Sequence, residues 1–205
     1  MNICGYSFEE YLNIVKSFHG SVAPGLLLGG FMVDLALKNL PEGEFFDSIC
    51  ETGNCLPDAI QLLTPCTIGN GWLKIVNLGR FAFTLYEKRQ GYGIRVFLDA
   101  RKLAPWREIK NWFFKLKPKK EQDTELLLGQ IKEAGIMIFS LQNVRVHPHF
   151  LEKNNKGRIA ICPECKEAYP FKDGDICRAC QGESPYVSSE TREGVNGFDP
   201  TYLLQ

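Results

Sequence analysis

The sequence WLKIVNLGRFAFTLYEKRQGYGIRVFL, which runs from Trp72 to Leu98, determines the predicted fold class. Three segments within it are rich in β-branched and aromatic residues, and two short breaks containing glycine separate them. The segments are 72–77, 80–87 and 93–98, and the breaks are Leu78-Gly79 and Gln90-Gly91-Tyr92-Gly93. Strand-like segments joined by such short glycine turns predict an antiparallel meander of three strands.

Helices are predicted on both sides of this meander. Ser7 and Glu10 form a capping box, in which each side chain satisfies a free amide at the helix start. Apolar residues then recur at helical spacing, so the first helix should end near Gly20. The other predicted elements are helices over 26–40, 57–63, 104–115 and 121–134 and strands over 45–51 and 136–146. Helices and strands grouped in this way predict an α+β fold with helices packed on an antiparallel sheet.

The composition excludes several classes of protein. Of the 205 residues, 44% are hydrophobic and 12% aromatic, which excludes a disordered chain. The 24 basic and 24 acidic residues give no net charge, so broad charge-driven binding of nucleic acid is not favoured. No membrane span is expected, because no apolar run reaches about 18 residues. The first residues do not resemble a signal peptide, and we therefore expect a cytoplasmic protein with reduced thiols.

Two Cys-x-x-Cys motifs give the strongest functional signal. Cys162-Pro-Glu-Cys165 and Cys177-Arg-Ala-Cys180 are separated by 11 residues. Two residues between thiolates place both sulfurs on one cation, and two such pairs complete a tetrahedral shell. A closed shell leaves no position for a substrate, so we predict a structural zinc site, with iron or a redox dithiol as alternatives. The spacer contains Pro170 and Lys172-Asp173-Gly174-Asp175, which suit a hairpin.

A polar segment at about 149–157 divides the chain. We predict an α+β core domain over 1–150 and a small domain over 151–205, composed of a treble-clef or zinc-ribbon finger and a C-terminal tail. Such fingers bind proteins, RNA or DNA, or brace a fold, and the cysteine spacing does not choose among these uses. Acidic residues offset the basic residues near the cysteines, so nucleic acid is not the favoured partner.

The remaining cysteines are Cys4, Cys50, Cys55 and Cys66. Cys4 and Cys50 are expected to be buried apolar residues. Cys55 precedes the predicted helix over 57–63 and Cys66 follows it, so both are candidates for the rim of a cleft. A helix start also lowers the pKa of a thiol, which favours metal binding or nucleophilic attack. His19 is a third candidate, although a helix-capping role competes with that interpretation.

Two other groups of residues are interpreted as surface features. His147 and His149 flank Pro148 and are expected to be an exposed pair without a ligand. Lys115, Lys117, Lys119 and Lys120 form a basic run, for which we favour a solvated connection between two helices.

Several motifs, in this order, resemble the E-subunit-like family of formylmethanofuran dehydrogenase, of the tungsten or molybdenum type. They are Phe18-His19-Gly20 through Pro24-Gly25-Leu26, Glu51, Cys55, Asp58-Ala59-Ile60-Gln61, Cys66-Thr67-Ile68-Gly69-Asn70-Gly71 and Gly93-Ile94-Arg95-Val96. The resemblance covers about 5–148 and implies an α+β core, a C-terminal treble-clef zinc finger in some members and an intertwined homodimer. It also implies an association with formylmethanofuran dehydrogenase genes in methanogens and anaerobic relatives.

The chain departs from this family in its first motif. The family typically has His-Gly-His-x-Cys-Pro-Gly, whereas this chain has Ser21 and Ala23 at the second histidine and the cysteine. Asn70 replaces the lysine of a Gly-Lys-Gly turn. The remaining soft ligands are His19, Cys55 and Cys66. Three protein ligands can hold a catalytic metal with an open position, and they can also be remnants of a lost site.

We therefore expect a metal- or ligand-binding accessory protein of anaerobic redox metabolism. The core cleft would hold a second transition metal or a small ligand, and the zinc finger would dock to a protein of a redox complex or act as a sensor. One alternative is an enzyme of anaerobic one-carbon metabolism, with Cys55 or Cys66 as nucleophile and His19 as base. Another is a zinc-finger regulator or a nucleic-acid-binding module. The sequence leaves catalysis open, because no cofactor fingerprint accompanies these residues.

Overall fold

The computed structural model describes residues 2–40, 45–152 and 157–187, and the chain divides into two compact units, Met1–Glu152 and Lys153–Gln205. The elements of the first unit are β1 (Asn2–Ile3), β2 (Tyr6–Ser7), α1 (Phe8–His19), α2 (Pro24–Leu37), β3 (Phe46–Cys50), α3 (Leu56–Leu63), β4 (Leu73–Ile75), β5 (Ala82–Glu87), β6 (Tyr92–Leu98), α4 (Arg107–Phe113), α5 (Thr124–Ala134) and β7 (Phe139–Arg145). Those of the second unit are β8 (Ile159–Ile161) and β9 (Ala168–Pro170). The C-terminal tail beyond residue 187 lies outside the described residues.

The main sheet has five strands in the order β4-β3-β5-β6-β7, and helices pack on it, so the α+β prediction is confirmed. The sheet is mixed rather than antiparallel, because β3 and β4 are parallel. The segment 72–77 was expected to be the first strand of the meander. Instead, α3 connects β3 to β4 and returns the chain in the same direction, as a parallel pair requires. β5, β6 and β7 are antiparallel neighbours, and a short turn joins β5 to β6, whereas α4 and α5 lie between β6 and β7.

The helix α2 is the centre of the core. It is apolar on nearly every side, and most of its residues are fully buried. Two glycines allow its neighbours to approach closely. A Cβ atom at Gly29 would lie 2.6 Å from the Cβ of Ala59 in α3, and one at Gly30 would lie 2.4 Å from the ring of Tyr11 in α1. The Tyr11 hydroxyl donates a 3.0 Å hydrogen bond to the Leu26 carbonyl, which fixes α1 against α2.

The helix ends follow from local hydrogen bonds. The predicted capping box is confirmed, since Ser7 Oγ accepts from the Glu10 amide at 3.2 Å and the Glu10 carboxylate accepts from the Ser7 amide at 2.7 Å. Gly20, with φ of 78°, ends α1. The side chain of Asp123 caps α5 by accepting from the Leu126 amide at 2.9 Å. No helix among the described residues has both the length and the apolar character to cross a membrane.

The second unit contains a hairpin, but not in the predicted place. β8 pairs with β9 in antiparallel register, and the first cysteine pair lies in the turn between these strands. The spacer that was expected to form the hairpin instead contains β9 and a 3-10 turn over Phe171–Asp173. The position differs because the knuckle at Cys162–Cys165 is itself a tight turn, in which the Lys166 amide donates to the Cys162 carbonyl at 3.0 Å.

Candidate functional site

The four cysteines of the second unit converge on one point. Their sulfurs all lie within 4.8 Å of one another, and the sulfurs of Cys165 and Cys177 are 3.7 Å apart. A tetrahedral metal with Zn–S bonds of about 2.3 Å places its sulfurs about 3.8 Å apart. The geometry therefore fits zinc, with no position left for a substrate.

The electrostatics of this cluster also favour a bound cation. The Cys177 amide donates to Cys162 Sγ at 3.4 Å, and such backbone donors lower the pKa of the Cys162 thiol to about 6. In contrast, the neighbouring thiol of Cys177 and burial raise the pKa of Cys180 to about 12. Several thiolates in this space repel one another, so full ionisation requires a divalent cation at their centre.

The surface charge around the cluster is nearly balanced. Residues 157–187 contain four basic and five acidic side chains. They are Arg158, Lys166, Lys172, Arg178, Glu164, Glu167, Asp173, Asp175 and Glu183. A surface that binds nucleic acid carries an excess of basic side chains, and this part of the chain does not.

In the first unit, Cys66 lies in the hydrophobic core rather than at the rim of a cleft. Its side chain is fully buried, and its thiol donates to the Phe46 carbonyl at 3.6 Å. Burial raises the pKa of Cys66 to about 11. The interpretation of Cys66 as a cleft residue with a lowered pKa is therefore wrong, because the loop after α3 turns this side chain inward. Cys50 is also fully buried, as expected, and Cys4 is partly buried.

Cys55 is the candidate that does line a cleft. It precedes α3 in a γ-turn, with φ of 55° and ψ of −49°, in which the Leu56 amide donates to the Asn54 carbonyl. A Cβ atom at Gly25 would lie 3.1 Å from the Cys55 sulfur, so the thiol sits against the first turn of α2. Burial and the nearby Asp58 carboxylate raise the pKa of Cys55. The expected lowering by the helix start is outweighed by these two effects.

His19 is held by a different partner. Its Nδ1 atom lies 2.9 Å from Oδ2 of Asp58, and both side chains are about one-third exposed. Among the residues that the structure describes, the cysteines of the second unit are the only group of three or more metal-ligand side chains within 4.8 Å. His19, Cys55 and Cys66 are not such a group. The three-ligand metal site inferred from the sequence is therefore not assembled in this structure.

The Cys55 cleft has a volume of about 330 Å³ and adjoins a second cleft of about 670 Å³. Trp112 and Lys115 line both. The other residues of the Cys55 cleft are Gly25, Thr52, Asn54, Gly79, Phe81 and Phe113. The other residues of the second cleft are Val22, Pro24, Lys117, Pro118, Lys119, Gln122, Thr124 and Leu127. Within the described part of the chain, no acidic side chain lines either cleft.

Sequence reasoning missed this lining. The basic run was interpreted as a solvated connection, but Lys115, Lys117 and Lys119 line the second cleft, and Lys120 does not. The alternation of lysines after Trp112 was the available signal. This signal was insufficient, because α4 ends at Phe113 and the chain then turns back. The sequence alone does not show that turn. His147 and His149 are exposed as expected, with their Nδ1 atoms 2.7 Å apart.

Comparisons with known proteins cover both units. A family model described as FmdE, Molybdenum formylmethanofuran dehydrogenase operon, matches residues 18–146, and one described as FmdE treble clef zinc finger matches 153–187. The crystal structure of a tungsten formylmethanofuran dehydrogenase FmdE-like protein from Syntrophus aciditrophicus is similar, with 57% identity and a TM-score of 0.83. The match covers 91% of this chain and 98% of that chain.

A curated relative is the probable S-adenosyl-L-methionine-binding protein of Archaeoglobus fulgidus. It is 29% identical over an alignment of 188 residues, and the match covers 82% of this chain. The match covers 51% of the relative, so the chain spans about half of the length of that protein.

Proposed function

The chain belongs to the FmdE family of the molybdenum formylmethanofuran dehydrogenase operon, and we propose that it is a zinc-containing accessory protein whose core cleft binds a small ligand rather than a transition metal. One observation carries this proposal. The second unit gathers four thiols within 4.8 Å, whereas the first unit leaves Cys55 at the wall of a cleft without two further soft ligands.

The zinc of the second unit would be structural. The described part of this unit has only three buried residues in its apolar cluster, Cys162, Tyr169 and Cys177. So small a core does not offset the entropy of ordering the chain, and metal binding supplies the missing free energy. Four thiolates also close the coordination shell, so the metal takes no part in chemistry.

The core cleft is suited to a ligand of another kind. Its volume of about 330 Å³ lies at the lower end of the range for small-molecule sites. Aromatic rings of Phe81, Trp112 and Phe113 dominate its walls, and the neutral Cys55 thiol is the softest ligand atom there. An accessory role in anaerobic redox metabolism is consistent with this chemistry. The eight free thiols are consistent with a reducing, cytoplasmic compartment.

Elemental analysis of the purified full-length chain tests the proposal. We expect one zinc per chain, and the same value in Cys55→Ser and Cys66→Ser variants. Two metals per chain that fall to one in Cys55→Ser would overturn it in favour of a metal-binding core. Iron in place of zinc in anaerobically purified protein would correct the identity of the metal but retain the structural site.

A second candidate ligand comes from the name of the curated relative, S-adenosyl-L-methionine. The indole of Trp112 offers a stacking surface for an adenine ring, and Lys115 offers a cation for a carboxylate. However, no acidic residue of the described chain lines the clefts to face a sulfonium cation. We therefore expect S-adenosyl-L-homocysteine, which lacks that charge, to bind more tightly than S-adenosyl-L-methionine in a calorimetric titration. The opposite order would contradict this expectation.

We also propose that the protein forms a homodimer. The seven-residue strand β7 is an edge of the main sheet, and Leu141 on it is 40% exposed. A long edge strand with exposed apolar side chains is a site where a second copy can pair. Light scattering coupled to size-exclusion chromatography should give twice the monomer mass of 23.2 kDa. A Leu141→Lys variant should shift the protein toward the monomer, and an unchanged dimer would place the interface elsewhere.

A further inference from the structure

We propose that the two clefts joined at Trp112 and Lys115 form one groove that binds an organic molecule with at least two negative charges and a flat apolar ring. This inference rests on the proposed ligand-binding function and identifies the chemical class of the ligand. Nothing in the family match or in the similar proteins assigns a role to these lysines.

The groove has cationic and apolar parts in one continuous lining. Trp112 and Lys115 belong to both clefts, and Cys55 and Lys119 each belong to one of them. Gly25 leaves space in the Cys55 cleft between Cys55 and Trp112. A Cβ atom there would lie 2.9 Å from the Cβ of Cys55 and 3.7 Å from the Trp112 ring, so any larger residue would fill the space between them.

Two of the three lysines that line the groove form no ion pair with the residues that the structure describes. Among the described residues, the ammonium groups of Lys115 and Lys119 have no carboxylate partner. Lys117 contacts Glu108 at 3.6 Å, and this pair is the exception. Two unpaired cations facing one cleft raise its potential and attract an anion with more than one charge. The lysine ammonium serves both carboxylates and phosphates, so both sources of charge fit.

Lys115 is held in place at a conformational cost. The Leu116 amide donates to the Asn111 carbonyl at 2.9 Å and the Lys115 amide donates to the Trp112 carbonyl at 3.3 Å. These two bonds form a Schellman motif at the end of α4. Lys115 occupies its left-handed position, with φ of 54°, where glycine is the usual residue.

Cys55, which lines the Cys55 cleft together with Lys115, also has a positive φ, of 55°. Two of the four non-glycine residues with positive φ in the described chain, Cys55 and Lys115, therefore line one cleft. Backbone strain of this kind concentrates at functional sites, because it is retained where a side chain must point in one direction.

We expect the flat ring of the ligand to stack on the indole of Trp112. Its indole is partly exposed and lines both clefts, while its neighbour Phe113 supports it at a centroid distance of 6.2 Å. A ring stacked on the indole places its charged substituents near the lysines. The Cys55 thiol at the other end is neutral, since its pKa is raised, and does not repel the anion.

Calorimetric titration of the full-length chain at low salt, with four probes, tests this proposal. The probes are adenosine monophosphate, benzene-1,3,5-tricarboxylate, adenosine and inorganic phosphate. We expect at least one of the two charged rings to bind at least tenfold more tightly than both adenosine and phosphate. Preference for the monophosphate would identify a phosphorylated ligand, and preference for the tricarboxylate would identify a polycarboxylate.

Three variants connect this binding to the groove. Lys115→Gly and Lys119→Gln should each weaken binding of the tighter charged ring at least fivefold. Lys120→Gln removes the same charge from the same run, but outside the cleft, and should weaken binding less than twofold. The melting temperature of Lys115→Gly should be unchanged or higher, because glycine relieves the left-handed backbone, so a loss of binding would not reflect unfolding.

The outcomes separate this inference from the function on which it rests. Binding of adenosine as tight as that of the tighter charged ring would overturn the role of charge, and equally tight binding of phosphate would overturn the role of the ring. Equal effects of Lys119→Gln and Lys120→Gln would overturn the location. Binding of no probe would overturn the proposed ligand class. The zinc content would still be tested by the elemental analysis, and the small-molecule cleft by titration with neutral ligands.

Discussion

The cysteine cluster of the second unit and the Cys55 region of the first contain the same kinds of side chain, but only the cluster is assembled for a metal. In the second unit, two short knuckles bring four sulfurs within 4.8 Å. In the first, His19 pairs with Asp58, Cys66 is buried in the core and Cys55 lines a cleft. Spacing within a knuckle therefore predicts a metal site, whereas the convergence of ligands that are far apart in sequence depends on how the whole fold packs.

Removal of one ligand from the cluster should have the largest effect. We expect Cys165→Ser to abolish zinc binding and to expose residues 157–187 to proteolysis. Zinc binding contributes about 10–16 kcal/mol of folding free energy in isolated zinc fingers. This is far more than the small apolar core of the second unit can contribute. Mass spectrometry of trypsin-treated protein measures the change. The Cys55→Ser variant is the matched control, and protection of residues 157–187 in zinc-free Cys165→Ser would show that the unit folds without metal.

The core could be made to resemble the cluster by restoring the family ligands. Ala23 caps α2 two residues before Gly25, which lies against the Cys55 sulfur. We expect the double variant Ser21→His and Ala23→Cys to bind a second metal. At a zinc concentration a hundredfold above the dissociation constant, binding would stabilise the fold by about 2.7 kcal/mol.

The control for this variant is Ser21→Ala with Ala23→Ser, which adds no soft ligand. A zinc-dependent rise in melting temperature only in the first variant would show that ligand identity separates the two regions. No rise in either variant would show that the packing of the cleft itself excludes a metal.

The sequence predicted the parts of the molecule that depend on neighbouring residues. The capping box at Ser7 and the cysteine knuckles depend on contacts within a few positions. The sequence did not predict that β4 pairs in parallel with β3, because this pairing depends on where α3 places the chain. The position of Cys66 was missed for the same reason. The turn that brings Lys115 to the cleft requires a residue in the left-handed conformation. Glycine is the usual sequence signal for this conformation, and a lysine gives no such signal.

Serine substitutions at Cys66 and Cys55 should lower the free energy of unfolding by different amounts, and this effect should be smaller than the preceding ones. Cys66→Ser places a hydroxyl in a fully buried position and should lower the free energy of unfolding by about 1–3 kcal/mol. Cys55→Ser should cost less, since that side chain is only partly buried. Urea denaturation of both variants at pH 7 measures the difference. Equal losses would contradict the placement of Cys66 in the core.

Alkaline pH provides a second measure of the same contrast. The folded pKa of Cys66, about 11, lies above the value of about 8.5 for an unfolded chain. Its contribution to stability is therefore fully present below pH 8.5 and is lost as the pH rises toward 11. Cys66→Ala should have a shallower loss of stability between pH 8 and pH 10 than the unsubstituted chain. An identical slope would show that this thiol does not titrate with unfolding.

The smallest effect should come from a pair of lysines with the same backbone conformation in the two regions. Lys115 in the first unit and Lys166 in the cysteine knuckle both have positive φ, 54° and 65°. Glycine at either position removes a strain of about 1 kcal/mol. The gain should be smaller at Lys166, because its ammonium also donates to the Pro163 carbonyl at 2.6 Å and that bond is lost.

The two glycine variants should differ more in function than in stability. Lys166→Gly should leave anion binding unchanged and alter only the zinc affinity, by less than tenfold. Lys115→Gly should leave zinc unchanged and weaken the charged ring, because it removes a cation from the groove. If both variants bind the anion equally well, the strain at Lys115 reflects only the geometry of the α4 terminus. Anion binding by the first unit would then not depend on Lys115.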